Sequence, residues 1–295
     1  MRYLSLVDST PILTASFDRS PQHVRRLERI ALELRRGVVN LLRHSRSGHL
    51  GGSLSLADVM AVLYFSVLRN NPTQPDWSGR DPLLLSKGHA APILFVTLAA
   101  RGYFPTEWLD EHRKLNGHLQ GHPDRKTPGV EAATGSLGQG LSIVNGLMLA
   151  ARLNGRDTRA VAVLGDGECN EGQVWEAAMS AAHYRLPTVA VLDRNRLQIG
   201  GTTEQVMRLE PLADKWRSFG WQVLEVNGHS IPALLRAFET AWQTLDRPTL
   251  VLAHTIKGKG VSFMENQVDY HAKIPADALF EQALAELAQA AVDNQ

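Results

Sequence analysis

Two hydrophobic rhythms alternate along residues 25–275. Leu27, Ile30, Leu34, Val38 and Leu41 recur at three- and four-residue intervals, which predicts a helix over Arg25–Leu42. Leu56, Val59, Met60, Leu63 and Val67 repeat the pattern, and Ser55 stands where a helix cap belongs. Between such stripes lie short runs of continuous apolar residues: Leu83–Leu85, Ala160–Leu164, Thr188–Leu192 and Pro248–His254, with a fifth near Gln222–Val226. Runs of that length, apolar on both faces, predict strands buried in a parallel sheet. Helices are predicted from the Lys87-Gly88-His89 turn to about Arg101, and over Leu141–Asn154, Glu171–Tyr184, Leu212–Phe219, Ile231–Leu245 and Ala276–Val292, with a short one at Thr106–Leu115. Strand and helix in alternation predict an α/β fold, a doubly wound parallel sheet with helices on both faces. Polar, glycine-rich breaks fall at Ser47–Gly52, Asn70–Arg80 and Asn116–Ser136. The last is long, and long structureless loops inside a compact domain tend to be functional or disordered; its neighbouring motifs favour function.

The chain has 295 residues, 44% of them hydrophobic, enough for a large core. No linker or repeat interrupts residues 25–275, so one domain is expected there, with an extension over 1–24 and a helical tail over 276–295. A formal net charge of +1 gives no general attraction to nucleic acid or membrane. Cys169 is the one cysteine, which excludes an intrachain disulfide and fits a reducing compartment. The first twenty-odd residues, broken by Pro11 and Pro21, lack a secretory apolar core, and no run reaches the roughly 18 apolar residues of a membrane span. A cytoplasmic protein is expected.

The chemistry concentrates where strands end. The Ala160–Leu164 run delivers Gly165-Asp166-Gly167-Glu168, and the next run delivers Asn195 about thirty positions after the aspartate. Gly-Asp-Gly by itself is an ordinary turn. Paired with an amide at the end of the next strand, it offers an anionic and a neutral oxygen at one rim. The Leu197 carbonyl is a third oxygen within reach. Such a set suits a hard divalent cation, Mg²⁺ or else Ca²⁺ or Mn²⁺, that shares its coordination with a diphosphate. His49, His89, His122 and His271 lie in glycine-rich or loop-like text and together could grip phosphate oxygens and hydroxyls and move protons. Taken singly, each reads as a surface or structural histidine. His112 and His118 are expected to be solvent-exposed. Cys169 is expected to be inert. Lys257 and Lys259 either attract a phosphorylated substrate or belong to a solvated loop.

Ser47-Gly48-His49, Ser86-Lys87-Gly88-His89-Ala90, Gly121-His122-Pro123, Thr134-Gly135-Ser136-Leu137-Gly138-Gln139-Gly140 and the Asp166 segment resemble transketolase, in transketolase order, from about Arg25 to about Pro275. The resemblance implies a thiamine diphosphate-binding fold of the diphosphate-binding type, with Asp166, Asn195 and Leu197 on the metal. It implies that Gly165, Gly167 and Glu168 belong to the cofactor segment, and that Gly135, Ser136 and Leu137 meet the aminopyrimidine and diphosphate. Many relatives have Pro where this chain has Ser136. His49 and His122 match histidines on the donor ketose, while His89 and, more loosely, His271 match ones at the diphosphate or above the thiazolium. Glu171, and with it Glu176, matches an interface carboxylate network tied to catalysis; on its own Glu171 is an ordinary helix-start acid. The implied reaction is transfer of a two-carbon ketol unit from a ketose, or ketose phosphate, to an aldose. The pyrimidine-binding domain with its activating glutamate has no counterpart here. A separate C-terminal transketolase subunit is therefore expected, in an α2β2 assembly that acts on sugar or sugar-phosphate substrates. The alternatives are the α subunit of another thiamine diphosphate enzyme, either a 2-oxo acid dehydrogenase or a deoxyxylulose phosphate synthase-like protein, and a non-catalytic cofactor-binding or regulatory subunit.

Overall fold

A computed structural model describes residues 3–293. Residues 1–2 and 294–295, the outer ends of the expected extension and tail, lie outside the described residues. Helix α1 (Pro21–Ser45) starts at Ser20, whose hydroxyl accepts the His23 amide, and Pro at the first turn suits a position with no intrahelical amide bond to make. The second helical stripe divides into α2 (Gly51–Leu54) and α3 (Ala57–Val62), the latter running on through a π-helical turn to Val67. Ser55 is thus no cap. It is buried between the two helices, and its hydroxyl donates to Asp193 (2.7 Å) and lies 3.1 Å from the Gly52 carbonyl oxygen. Nor is Ser47–Gly52 loop throughout, since Gly51 and Gly52 open α2.

Strand β1 (Leu83–Leu85) leads through a 3₁₀ turn at Gly88–Ala90 into α4 (Ala91–Ala100). Thr106–Glu111 is a 3₁₀ turn, shorter than the helix expected there, and no regular element forms until α5 (Gln139–Leu153). Then follow β2 (Val161–Gly165), α6 (Gly172–His183), β3 (Val189–Arg194) and a small hairpin, β4 (Leu197–Gln198) with β5 (Gly201–Thr202). After α7 (Thr203–Val206) and α8 (Leu212–Ser218) come β6 (Gln222–Asn227), α9 (Ile231–Gln243), β7 (Thr249–His254) and α10 (Asp277–Asp293). Before α1, Tyr3 and Leu4 are buried, and residues 5–20 are exposed or half-buried, with Ile12 bridged to Asn70.

The main sheet has five strands in the order β1-β2-β3-β7-β6, all parallel. Its register aligns Gly165 with Asp193 and Arg194 with His254, so the carboxyl ends of the central strands finish level. Alternation along each strand sorts side chains into two cores. Val161, Val163, Val189, Val191 and Val251 face α1, α3, α4 and α9; Ala162, Leu164, Ala190, Leu192 and Leu252 face α5, α6 and α8. With both faces covered, the chain needs the continuous apolar runs seen in the sequence, and burying each Val or Leu stabilises by roughly 1.5–3 kcal/mol. What remains for chemistry is the rim where the strands end.

Candidate active site

Four adjacent strands deliver the groups that meet at this rim: Ser86 and Lys87 after β1, Asp166 and Glu168 after β2, Asn195 after β3, and Thr255 and Lys257 after β7. The crevice beyond the carboxyl ends of an open parallel sheet is the general ligand position of such folds. Here it holds a cleft of about 380 Å³ whose lining includes His49, Lys87, His89, Gly135, Leu137, Gly165, Asp166, Glu168, Asn195, Leu197, Lys257 and His271. Gly88 lets the turn after β1 close on the loop before α5: a Cβ there would stand 2.7–2.8 Å from the main chain of Thr134 and Gly135.

Two buried carboxylates brace the rim. Glu168 accepts the Gly138 and Gly165 amides (2.8 and 3.0 Å) and the Ser86 hydroxyl, tying β1, β2 and the start of α5 together. Asp193 is fully enclosed and receives the Lys87 ammonium, the Ser55 and Thr255 hydroxyls and the Asn195 amide. Burial works against its charge, but Lys87 with Thr255 and Ser55 holds its carboxyl below the usual range.

Asp166 is different. Its Oδ1 accepts the Gly167 amide (2.7 Å); its Oδ2 accepts Arg194 (3.1 Å) and the Arg196 amide (2.5 Å). Even so, burial first and Asp193 second push its carboxyl above the ordinary value. A divalent cation would further favour the ionised carboxylate, and the surrounding donors fit one: the Asp166 carboxylate, the Asn195 Oδ1 and the Leu197 carbonyl are all hard oxygens. Asn195 is turned for this by the Leu197 amide, which donates to its Oδ1 (3.1 Å), while its Nδ2 donates to Asp193 (3.0 Å). Among the described residues no cluster of three His, Cys, Asp or Glu side chains suits a metal, so one carboxylate with amide and carbonyl oxygens is the available set.

His49, His89 and His271 form a triangle, with ring centroids 5.1–5.4 Å apart. Burial, and then nearby cations, depresses all three: His49 to about 4, His89 to about 2 and His271 to about 3. They are neutral imidazoles at physiological pH, suited to accept or donate hydrogen bonds rather than to pair with an anion as cations. The Nδ1 of His49 is buried without a protein partner, a donor or acceptor left for a ligand. Lys257 overturns the solvated-loop expectation. It is 1% exposed, and its Nζ lies 2.8 Å from His271 Nδ1 and donates to the Leu197 carbonyl (3.3 Å). Burial, then Lys87, lowers its pKa to about 8. An ammonium that can only donate assigns the lone pair to His271 Nδ1 and the proton to Nε2.

Other expected residues stand at the margin. His122 is exposed but packs on Gly135, whose added Cβ would be 3.1 Å from its ring. Ser136 is exposed and outside the cleft lining. Glu171 is an exposed residue at the start of α6, beside Gly138, and Glu176 is exposed on the same helix. Lys259 turns away to Glu265 (3.1 Å). Cys169 is buried, and burial raises its thiol well above the usual range, which leaves it unreactive. His118 is exposed, stacked on Trp108, but His112 is 1% exposed, contrary to expectation: the 3₁₀ turn before it presses its ring against Phe95 on α4. Sequence reasoning missed Asp193, Thr255 and Arg194. Only the long-range packing of strand ends reveals their partners.

The family described as transketolase, thiamine diphosphate binding domain, matches residues 27–288. The chain is 41% identical over 267 residues to an apulose-4-phosphate transketolase subunit of Phocaeicola vulgatus, an alignment covering 90% of this chain and 95% of that one. It is 44% identical over 242 residues to the 6-deoxy-6-sulfo-D-fructose transketolase subunit SqwG of a Clostridium species, covering 81% and 88%. The solved transketolase of Campylobacter jejuni superposes with a TM-score of 0.84 at 30% identity, over 90% of this chain and 43% of that one. The chain thus spans less than half the length of that larger enzyme. A parallel sheet with this rim, together with these matches, makes the chain a member of the transketolase family of thiamine diphosphate-binding domains.

Proposed function

We propose that this chain is the diphosphate-binding subunit of a divided transketolase, moving a two-carbon ketol unit from a ketose to an aldose with a second subunit. The observation that carries the reading is the convergence, in one cleft, of a buried Asp166, the oxygens of Asn195 and Leu197, and three neutral histidines. Asp166, Asn195 and the Leu197 carbonyl would hold Mg²⁺, or Ca²⁺ or Mn²⁺ in its place, and through it the diphosphate. Thiamine diphosphate, when bound, supplies the electron sink for carbon–carbon cleavage. Lys257 and the amides around Gly135 offer donors to phosphate oxygens. Leu137 lines the cleft as an apolar wall for the rings. His49, with its free Nδ1, and His122 at the mouth orient the donor's hydroxyls and exchange protons with them. His271, with its proton on Nε2, and His89 would hydrogen-bond the cofactor. Ser136 and Glu171, exposed near the start of α5, and Glu176, exposed along α6, suit contacts with another polypeptide.

The partner is a C-terminal transketolase subunit bearing the pyrimidine-binding domain and its glutamate, in a cytoplasmic α2β2 assembly. Relatives of nearly equal length that are themselves named as transketolase subunits support the division. Relatives named for apulose 4-phosphate and for a sulfofructose support an anionic sugar as substrate. The test mixes this chain with its co-encoded partner, Mg²⁺ and thiamine diphosphate and follows aldose release from candidate ketose phosphates. Turnover should require all four components; turnover by this chain without the partner, or cofactor uptake indifferent to the metal, would defeat the proposal.

A further inference from the structure

Lys257 reaches the cleft from a loop held by main-chain bonds on both sides, its own carbonyl accepting the Asn266 amide (2.9 Å). Three amides pin its first turn. That of Thr255 donates to the Arg194 carbonyl (3.2 Å) and that of Gly258 to the Gly51 carbonyl (3.0 Å). The amide of Ile256, immediately before Lys257, donates instead to a side chain, His229 Nε2, at 2.8 Å. Of the three, this one alone is set by the identity of a residue elsewhere in the sequence.

His229 is itself held from behind. It follows β6, its amide donates to Asn227 Oδ1 (2.9 Å), and its side chain is 12% exposed. Its Nδ1 lies 2.7 Å from Asp58 Oδ2 on α3, and Asp58 is paired through both oxygens with Arg35 on α1. Because a backbone amide can only donate, the ring is fixed as the tautomer with its proton on Nδ1, toward Asp58, and its lone pair on Nε2, toward Ile256. A carboxylate that orients a histidine so that its far nitrogen performs a set task is a recurring arrangement around metal and catalytic sites. Here the far nitrogen holds main chain, and the residue it places is the lysine that contacts His271.

Resting on the proposed cofactor site, we infer that His229 is a positioning residue for it. Asp58 and Arg35 orient the ring, His229 fixes the Ile256 amide, and that bond sets Lys257 against His271 and the Leu197 carbonyl. His229 is not among the residues lining the cleft, and its bond to Ile256 makes Lys257 the route of its effect.

Three measurements test this with the full chain and its partner. Nitrogen-15 NMR of histidine-labelled wild-type chain should show His229 at neutral pH protonated on Nδ1 alone. A ring protonated on Nε2, or on both nitrogens, overturns the inference without any variant. In His229→Ala, and in the milder His229→Gln should the first fold poorly, exchange of the Ile256 amide should accelerate about tenfold or more while the β7 amides keep their protection; unchanged Ile256 exchange overturns it. Thiamine diphosphate affinity, titrated by calorimetry with Mg²⁺, should weaken about fivefold to tenfold in the His229 variant, the effect of one lost hydrogen bond on a site loop. In a Lys257→Met background the same substitution should have little further effect, because residues acting through one another are not additive. Full additivity would make His229 merely structural. If the wild-type assembly takes up no cofactor at all, the functional reading fails on its own, and the tautomer and the Ile256 exchange still judge the role of His229 in the loop.

Discussion

At the scale of single residues, the rim is a set of buried charges whose partners decide their use. Asp193 is satisfied by Lys87 and hydroxyls, whereas Asp166 is pushed upward by burial and by Asp193 itself. Asp166→Asn should therefore keep the fold but lower Mg²⁺-dependent thiamine diphosphate affinity by at least about 100-fold, beyond the 10- to 100-fold usual for groups behind a metal ligand; calorimetry with and without the metal reads it. A second prediction concerns His112, whose two ring nitrogens are buried without partners and whose pKa burial and Arg113 lower to about 4. Depressed in the fold below an unfolded value near 6.5, the ring favours the folded state while neutral. Its contribution is full above pH 6.5 and is lost as pH falls from there toward 4. Urea unfolding should show His112→Phe losing less stability than wild type between pH 7 and 5, by about 2 kcal/mol; equal losses would show that His112 does not titrate with unfolding. Nothing in the text around His112 announces its burial, because one histidine in a polar stretch carries no periodicity. That Asp166 and Asn195 stand at the ends of neighbouring strands was legible, because each lies within three positions of an apolar run that must be a strand.

At the scale of elements, the sheet and its covering helices were legible because both faces are buried and the rhythms are long. The misreadings cluster where tertiary contacts replace local rules. Ser55 has the composition of a cap, yet it donates to Asp193 because α2 begins earlier and buries it. The expected helix after Thr106 ends at Glu111, in a 3₁₀ turn that packs on α4. The turn after β1 gives the test at this scale. Gly88→Ala would drive a methyl against the main chain of Thr134 and Gly135, where neither side can rotate away. A loss of about 1–3 kcal/mol in unfolding free energy is expected, together with weaker cofactor binding as His89 shifts. Unchanged melting and binding would mean that the two loops are not in contact.

At the scale of the whole molecule, the cleft lining includes apolar side chains facing solvent: Ile199 is 76% exposed and Val206 48%, and Met207, next in the chain, is 62% exposed. Exposed apolar residues grouped beside a site mark a surface to be covered. Met207→Glu should leave the isolated chain's melting unchanged and weaken association with the proposed partner subunit at least about tenfold, as measured by analytical ultracentrifugation; undiminished association would place the interface elsewhere. The amino-acid sequence by itself determined the alternation of strands and helices, the continuous apolar strands and the order of the glycine, histidine and acid motifs, since these follow from local periodicity and from residues that few other contexts require. Only the tertiary structure decided which charges neutralise one another, that Lys257 is buried against His271, that Ser55 serves Asp193, and that a histidine beyond β6 reaches the loop after β7. Those pairings join residues from 14 to 138 positions apart, and the parallel sheet, by aligning the ends of its strands, together with the helices and turns packed around that rim, brings them within the length of a hydrogen bond.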